Sequence, residues 1–161
     1  MLIGSNLFGY VKEPLNPVFR STAPQTPGSD LTSANFSQAV LKNTDFRNTN
    51  LIGTCWCNAK SLEFARLGNT CLANPKIRQL VVTCDGQGRN FDGLDLTGVN
   101  LQDANLQDAS FIGAYLNQSN LRGADLSRAI LKQAQLEGAD LRGCLRSRLD
   151  RKKAHSVYAA I

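Results

Sequence analysis

From Phe91 to Leu141 every fifth residue is Leu or Phe: Phe91, Leu96, Leu101, Leu106, Phe111, Leu116, Leu121, Leu126, Leu131, Leu136 and Leu141. A shorter run keeps the same beat at Leu31, Phe36, Leu41, Phe46 and Leu51. Internal repetition of this kind decides an architecture before local propensity does. A helix cannot carry it. At about 100° per residue, five residues advance the apolar side chains by roughly 140°, and no buried face results. A straight strand fails as well, because side chains alternate with period two and every fifth residue changes sides. The period works only if the chain turns a corner once per repeat. Short extended segments joined by bends then wind into a solenoid with these sixteen residues as its structural core.

The positions around each central Leu or Phe agree. Two residues earlier stand Ala104, Ala109, Ala114, Ser119, Ala124, Ala129, Ala134 and Ala139. Alternation puts this position on the same inward face, where crowding requires a small side chain. Just before the centre come Asp95, Asn100, Asn105, Asn120, Asp125 and Asp140, whose side chains bond nearby backbone at bends. Two after it come Gly98, Gly113, Gly123, Gly138 and Gly143, suited to corners.

In units such as Ala104-Asn105-Leu106, Ala124-Asp125-Leu126 and Ala139-Asp140-Leu141 the chain resembles the pentapeptide-repeat family, whose pattern is A(D/N)LXX. The resemblance implies an all-β fold, a right-handed quadrilateral β-solenoid with four pentapeptides per coil. The repeats would make about four coils, roughly 20 Å long at the spacing of stacked strands. The density of units is similar to that of small cyanobacterial members, most of which have no assigned activity.

The beat divides the chain into five segments. Residues 1–28 hold Pro14, Pro17, Pro24 and Pro27 and read as an extended lead-in, with Leu2, Ile3, Leu7, Phe8, Tyr10 and Val11 available to cap the first coil. Residues 29–55 form the first repeat run. Trp56 falls on a centre position and is too large for a narrow coil, so the run is expected to stop there. Over 56–90, Ser61, Arg66, Lys76 and Gly86 fall where centres belong, which reads as a non-repeat insertion. Within it, Leu62, Phe64 and Ala65 suggest a short helix over 58–67, Leu80–Thr83 reads as a strand, and Asp85–Gly88 as a turn. Leu51 and Phe91 lie forty residues apart, eight whole repeats, through either a retained register or coincidence. Residues 91–143 form the main run. Over 144–161 the beat is lost. Leu145, Leu149, Val157 and Ile161 suit a short amphipathic capping helix.

Charge sharpens this division. The net charge is +5, yet residues 1–141 carry as many Asp and Glu as Lys and Arg. The whole excess lies in 142–161. There Arg146, Arg148, Arg151, Lys152 and Lys153 are the partner-binding candidates, able to neutralise phosphates or meet an anionic membrane surface. A solvated capping helix explains the same residues. No apolar stretch is long enough to span a bilayer, and Met1–Gly4 lacks the pattern of a signal peptide. A cytoplasmic protein is expected. Five cysteines, an odd number, argue against a disulfide framework and fit a reducing compartment.

Candidate chemistry is sparse. Cys55 and Cys57 flank Trp56 on one strand face and are weak metal candidates. Tetrahedral zinc needs four ligands, and Cys71 and Cys84 join only if the insertion folds back. Unpaired thiols are the favoured reading, with Cys144 in a small inward position. His155 has no nucleophile placed beside it by any motif. Asp85-Gly86-Gln87-Gly88-Arg89 lacks the Lys-Ser/Thr ending of a phosphate loop. No catalytic residue, cofactor site or cofactor is assigned.

The expected function is therefore a non-catalytic protein-interaction scaffold with an unknown protein partner. Its outward positions include Gln102, Asp103, Gln107, Asp108, Ile112, Tyr115, Asn117, Arg122, Arg128 and Lys132, and the 56–90 insertion is the natural partner-binding element. The alternative is binding of nucleic acid or an anionic surface by the basic tail. The resemblance also brings in a DNA-mimicking branch that binds type II topoisomerases. That role calls for a long, strongly negative rod, and these short repeats are charge-neutral.

Overall fold

A computed structural model describes residues 30–68 and 70–145. The expected cap at 1–28 and the tail beyond Leu145 lie outside the described residues. The backbone is a β-solenoid built from short parallel bridges, one per five-residue unit. Asp30 pairs with Asn50, Asn35 with Cys55, and from Asp85 to Leu145 each bridge joins residues twenty apart, or four units.

Each unit is built alike. The central residue donates its N–H to the rung one circuit on, as in Leu101 N to Asn120 O at 2.7 Å. The chain then turns, and the N–H of the small residue returns to the central carbonyl, as in Ala104 N to Leu101 O at 3.1 Å. The third residue of that turn has positive φ in unit after unit, from Ser33 at 60° to Gln133 at 61°, the sign that defines a type II turn. The residue before the centre fixes the corner. Asp95 Oδ1 accepts from Thr97 N at 3.0 Å, and Asn100 Oδ1 from Gln102 N at 3.0 Å. The central Leu and Phe residues from Phe36 to Leu51 and from Phe91 to Leu141 are buried, and so are the Ala residues from Ala104 to Ala139 two positions before their centres. Each buried Leu contributes roughly 1.5–3 kcal/mol.

The interruption is narrower than the expected 56–90. Trp56 does not end the first run: it is 2% exposed. Its ring lies 4.6 Å from Phe36 and 5.3 Å from Phe46, centroid to centroid. Its Nε1 donates to Thr54 Oγ1 at 2.6 Å. The first-run interior is thus an aromatic stack with room for an indole. After Trp56 the beat continues out of phase. The step to Leu62 is six residues, Leu67 and Leu72 follow at five, and the bridges shift with it, Val40 to Ser61 and Asp45 to Arg66. The helix expected over 58–67 is therefore rungs, because Leu62 and Leu67 keep a five-residue spacing.

The helix lies later, as α1 at Pro75–Thr83 after a single 3-10 turn at Cys71–Ala73. Asn74 caps it, accepting from Lys76 N at 2.9 Å, and Pro75 opens its first turn. Ile77, Leu80 and Val81, at helical spacing, form its buried side. The strand expected at Leu80–Thr83 is the end of this helix. Cys84 closes it in the left-handed region at φ 52°.

Gly86 explains how α1 joins the solenoid. Asp85 bridges to Asn105, so Gly86 stands at a centre position. A Cβ there would lie 2.8 Å from Leu80 Cδ1, 3.0 Å from Leu106 Cδ2 and 3.0 Å from Phe91 Cε2. Leu80 of α1 thus occupies the interior place that a Leu at position 86 would fill. Leu72 to Gly86 spans fourteen residues, one short of three repeats, which cancels the extra residue before Leu62. The register from Leu51 to Phe91 is restored by this compensation. Gly86→Leu is expected to cost roughly 1–3 kcal/mol by overpacking, and Leu80→Ala roughly 2–5 kcal/mol. The double variant should cost less than the sum, measured by urea denaturation, because the new leucine fills the space the other vacates.

Candidate interaction surface

The outward positions form a polar lattice. Arg128 grips Asp108 through Nε and one terminal nitrogen, both at 2.6 Å, across adjacent rungs. Arg142 and Arg47 make similar forks to Asp140 and Asp45 two residues away. Lys42 Nζ lies 2.8 Å from Glu63. Gln107 bonds Asp125 on the next rung. These exposed pairs add little stability singly. The partner guanidinium lowers the pKa of Asp45 to about 2, first through its side-chain hydrogen bonds. Arg142 does the same for Asp140, also to about 2. Arg128 lowers Asp108, and bonds from Ser127 and Gln107 lower Asp125.

Apolar groups interrupt the lattice at a few places. Ile112 and Ile130 are exposed on one face in adjacent rungs, since Ser110 bridges to Ile130. Tyr115 is exposed around the next corner. Phe64 is the extreme case, 72% exposed. It sits in the left-handed region at φ 56°, where Asn43, Asn48 and Asn58 occupy the matching place in other units. Lys42 Nζ lies 5.6 Å from its ring centroid.

The two runs meet at a junction built differently from the rungs. Among the described residues every bridge stays within one run. Gly53 N donates to Gly98 O at 2.6 Å, and Ile52 packs where a Cβ on Gly98 would stand, 2.9 Å from its Cγ2. Asn58 N donates to Val82 O at 2.7 Å near the end of α1. On one side a cleft of about 620 Å³ opens, lined by Asn50, Ile52, Asn74, Ile77, Asp95 and Thr97 among others. Asn50 and Asp95 already spend a carboxyl or amide oxygen on Ile52 N and Thr97 N. Cys71 also lines it, and burial pushes its thiol pKa up, which keeps it from acting as a thiolate.

The cysteines depart from the expectation of unpaired thiols. Cys57 and Cys84 form a disulfide with Cα atoms 5.6 Å apart. An odd count left one pair free to form once the chain from Cys57 to Cys84 returned beside its start. Cys57 consequently has no thiolate for a metal, and Cys55 Sγ lies 3.1 Å from Ser37 Oγ instead. Among the described residues no three His, Cys, Asp or Glu side chains gather to hold an ion. Cys144 packs against the core and its thiol reaches Leu121 O at 2.8 Å. Arg146, Arg148, Arg151, Lys152, Lys153 and His155 lie outside the described residues. Sequence reasoning missed Phe64 and the Cys57–Cys84 pair. The six-residue step before Leu62 was the available signal for Phe64, since it places residue 64 two after a centre.

A profile of pentapeptide repeats matches in 8 copies over residues 28–59, 87–113 and 104–143. The chain belongs to the pentapeptide-repeat family. Solved structures of the family include HetL, a pentapeptide repeat protein involved in heterocyst differentiation regulation from the cyanobacterium Nostoc sp. strain PCC 7120. It is 26% identical with a TM-score of 0.40, and the match covers 76% of this chain but 49% of HetL. Rfr23 from the cyanobacterium Cyanothece 51142 is 24% identical with a TM-score of 0.38, over 78% of this chain and 63% of that one. A pentapeptide repeat protein of the Arabidopsis thaliana thylakoid lumen is 23% identical with a TM-score of 0.28, over 83% and 71%. The chain spans about half the length of HetL. No curated protein matches it. Among the described residues no helix is long and apolar enough to cross a membrane.

The pentapeptide corners carry a pH signature. At two of them, Asp45 and Asp140, the carboxyl has a lower pKa folded than the ordinary 3.8, so it favours the fold above about pH 4 and loses that contribution as pH falls toward 2. The melting temperature should fall on acidification through this window. In Asp45→Asn/Asp140→Asn the fall should be shallower and the melting temperature at pH 7 somewhat lower, because Asn keeps the corner bond but loses the carboxylate fork to Arg47 and Arg142.

Proposed function

We propose that this chain is a non-catalytic protein-interaction scaffold, a right-handed, four-sided solenoid that meets its partner through Phe64. The twenty-residue bridge spacing supports four units per turn, and the beat through Leu62 and Leu67 supports a count of about five turns. Phe64 is the observation that carries the functional reading. A bulky residue in the left-handed region costs about 1–2 kcal/mol in backbone strain. Phe64 gains nothing from the core in return, since it is 72% exposed. Exposed aromatic anchors dominate protein interfaces. Lys42 and Glu63 beside it supply a polar rim.

Phe64→Asn separates binding from folding. The variant should be as stable as the parent or up to about 1 kcal/mol more stable, since asparagine already fills this place in three other units. A partner captured from a native extract by the full chain should bind the variant at least about 30-fold more weakly. An identical set of captured proteins, at equal affinity, would count against the reading.

A second reading rests on the charge asymmetry, +5 overall with the excess confined to 142–161. Here the tail binds nucleic acid or another polyanion. Retention on heparin should then fall steeply with salt and vanish on removing residues 146–161. No retention at low salt would exclude it.

A further inference from the structure

We infer that Cys57 and Cys84 are a redox-active pair whose oxidation clasps the two repeat runs together, with a dithiol, small or borne by a protein, as the reductant. Three observations carry this. First, the disulfide lies at the seam. Cys57 follows Trp56 in the first run, and Cys84 closes α1 immediately before the first bridge of the second run at Asp85. Second, the seam has little else of its kind. No bridge among the described residues crosses it, and the backbone bonds that do are Gly53 N to Gly98 O and Asn58 N to Val82 O. The latter adjoins the disulfide. Third, both sulfurs belong to half-buried residues with exposed neighbours, Asn58 beside one and Thr83 and Asp85 beside the other, so a reductant can reach them.

The chemistry balances as ordinary exchange. A thiolate of the dithiol attacks one sulfur of the pair, the S–S bond breaks, and the other cysteine leaves as a thiolate that takes up a proton. The second thiol of the reductant, deprotonated, attacks the mixed disulfide and releases the remaining cysteine. The protein gains two electrons and two protons, and the dithiol becomes a disulfide.

The consequence is local. The disulfide closes a loop across 27 residues that contains the six-residue step, the rungs at Ser61 and Arg66, and α1. Opening it loosens the helical part of that loop, while the rungs at Ser61 and Arg66 stay bridged to Val40 and Asp45 and the second run keeps its own ladder from Asp85 to Leu145. The buried groups this opening would uncover are Leu72 in the 3-10 turn and Ile77, Leu80 and Val81 on α1. The same chain would then be clasped in an oxidising setting and loosened in a reducing one, without dependence on any partner of Phe64.

Hydrogen exchange of the full-length protein, with and without a dithiol such as dithiothreitol, tests this. Mass mapping should find Cys57 joined to Cys84 in the oxidised sample and both alkylated after reduction. Exchange of amides in 70–84 should then rise on the order of a hundred-fold, with those of 105–140 unchanged. Cys57→Ser/Cys84→Ser should match the reduced protein and ignore the dithiol. Three results would overturn the inference: alkylation of both cysteines after equilibration with oxidised glutathione, unchanged exchange in 70–84 on reduction, or a rise of equal size throughout the chain.

Discussion

A solenoid this narrow has one large side chain and one small one facing inward per unit, and each must stack on its counterpart in the next circuit. That constraint governs the rest. The interior has no depth in which a misplaced residue can be absorbed, so the phase of the repeat must be held along the whole axis. The corner chemistry serves it. Asp or Asn before the centre ties the turn, and a left-handed third residue redirects the chain so that the next Leu again points inward.

The junction shows what happens when the phase slips. One extra residue before Leu62 displaces the beat, and the segment from Leu72 to Gly86 removes one. α1 makes the correction possible because a helix covers distance at a different rise per residue from an extended rung. Its Leu80 then supplies the interior group that Gly86 lacks. The result is one cluster of buried residues from Phe36 to Leu141, with a seam in its backbone but none in its side-chain packing. Features outside the repeat pattern gather at or near that seam: Phe64, the cleft beside Asp95, and the Cys57–Cys84 disulfide.

The periodic part of this was legible because each position is decided locally. The centres, the alanines and the Asx corners could be read from residue type and spacing alone. Leu62 and Leu67 were hidden because a beat counted in the original phase passes over them, although their own spacing is still five. Val81, Val82 and Thr83 favoured a strand by propensity, while Asn74-Pro75 and the spacing of Ile77, Leu80 and Val81 marked a helix start and face. Tertiary burial decided between them. Trp56 is larger than an ordinary centre, and it is accommodated by packing its ring on Phe36 and Phe46. The disulfide was out of reach of counting, since parity says nothing about which residues return to the same place.

The central claim is that the two runs share one core despite the break in their ladder. Trp56 is the only tryptophan, and it lies in the first run, so its fluorescence reports on that half. Far-UV circular dichroism reports on both. Urea unfolding of the oxidised protein followed by the two signals should give a single transition with coincident midpoints. A tryptophan transition clearly separated from the circular dichroism transition would show that the runs fold as independent units and contradict the account.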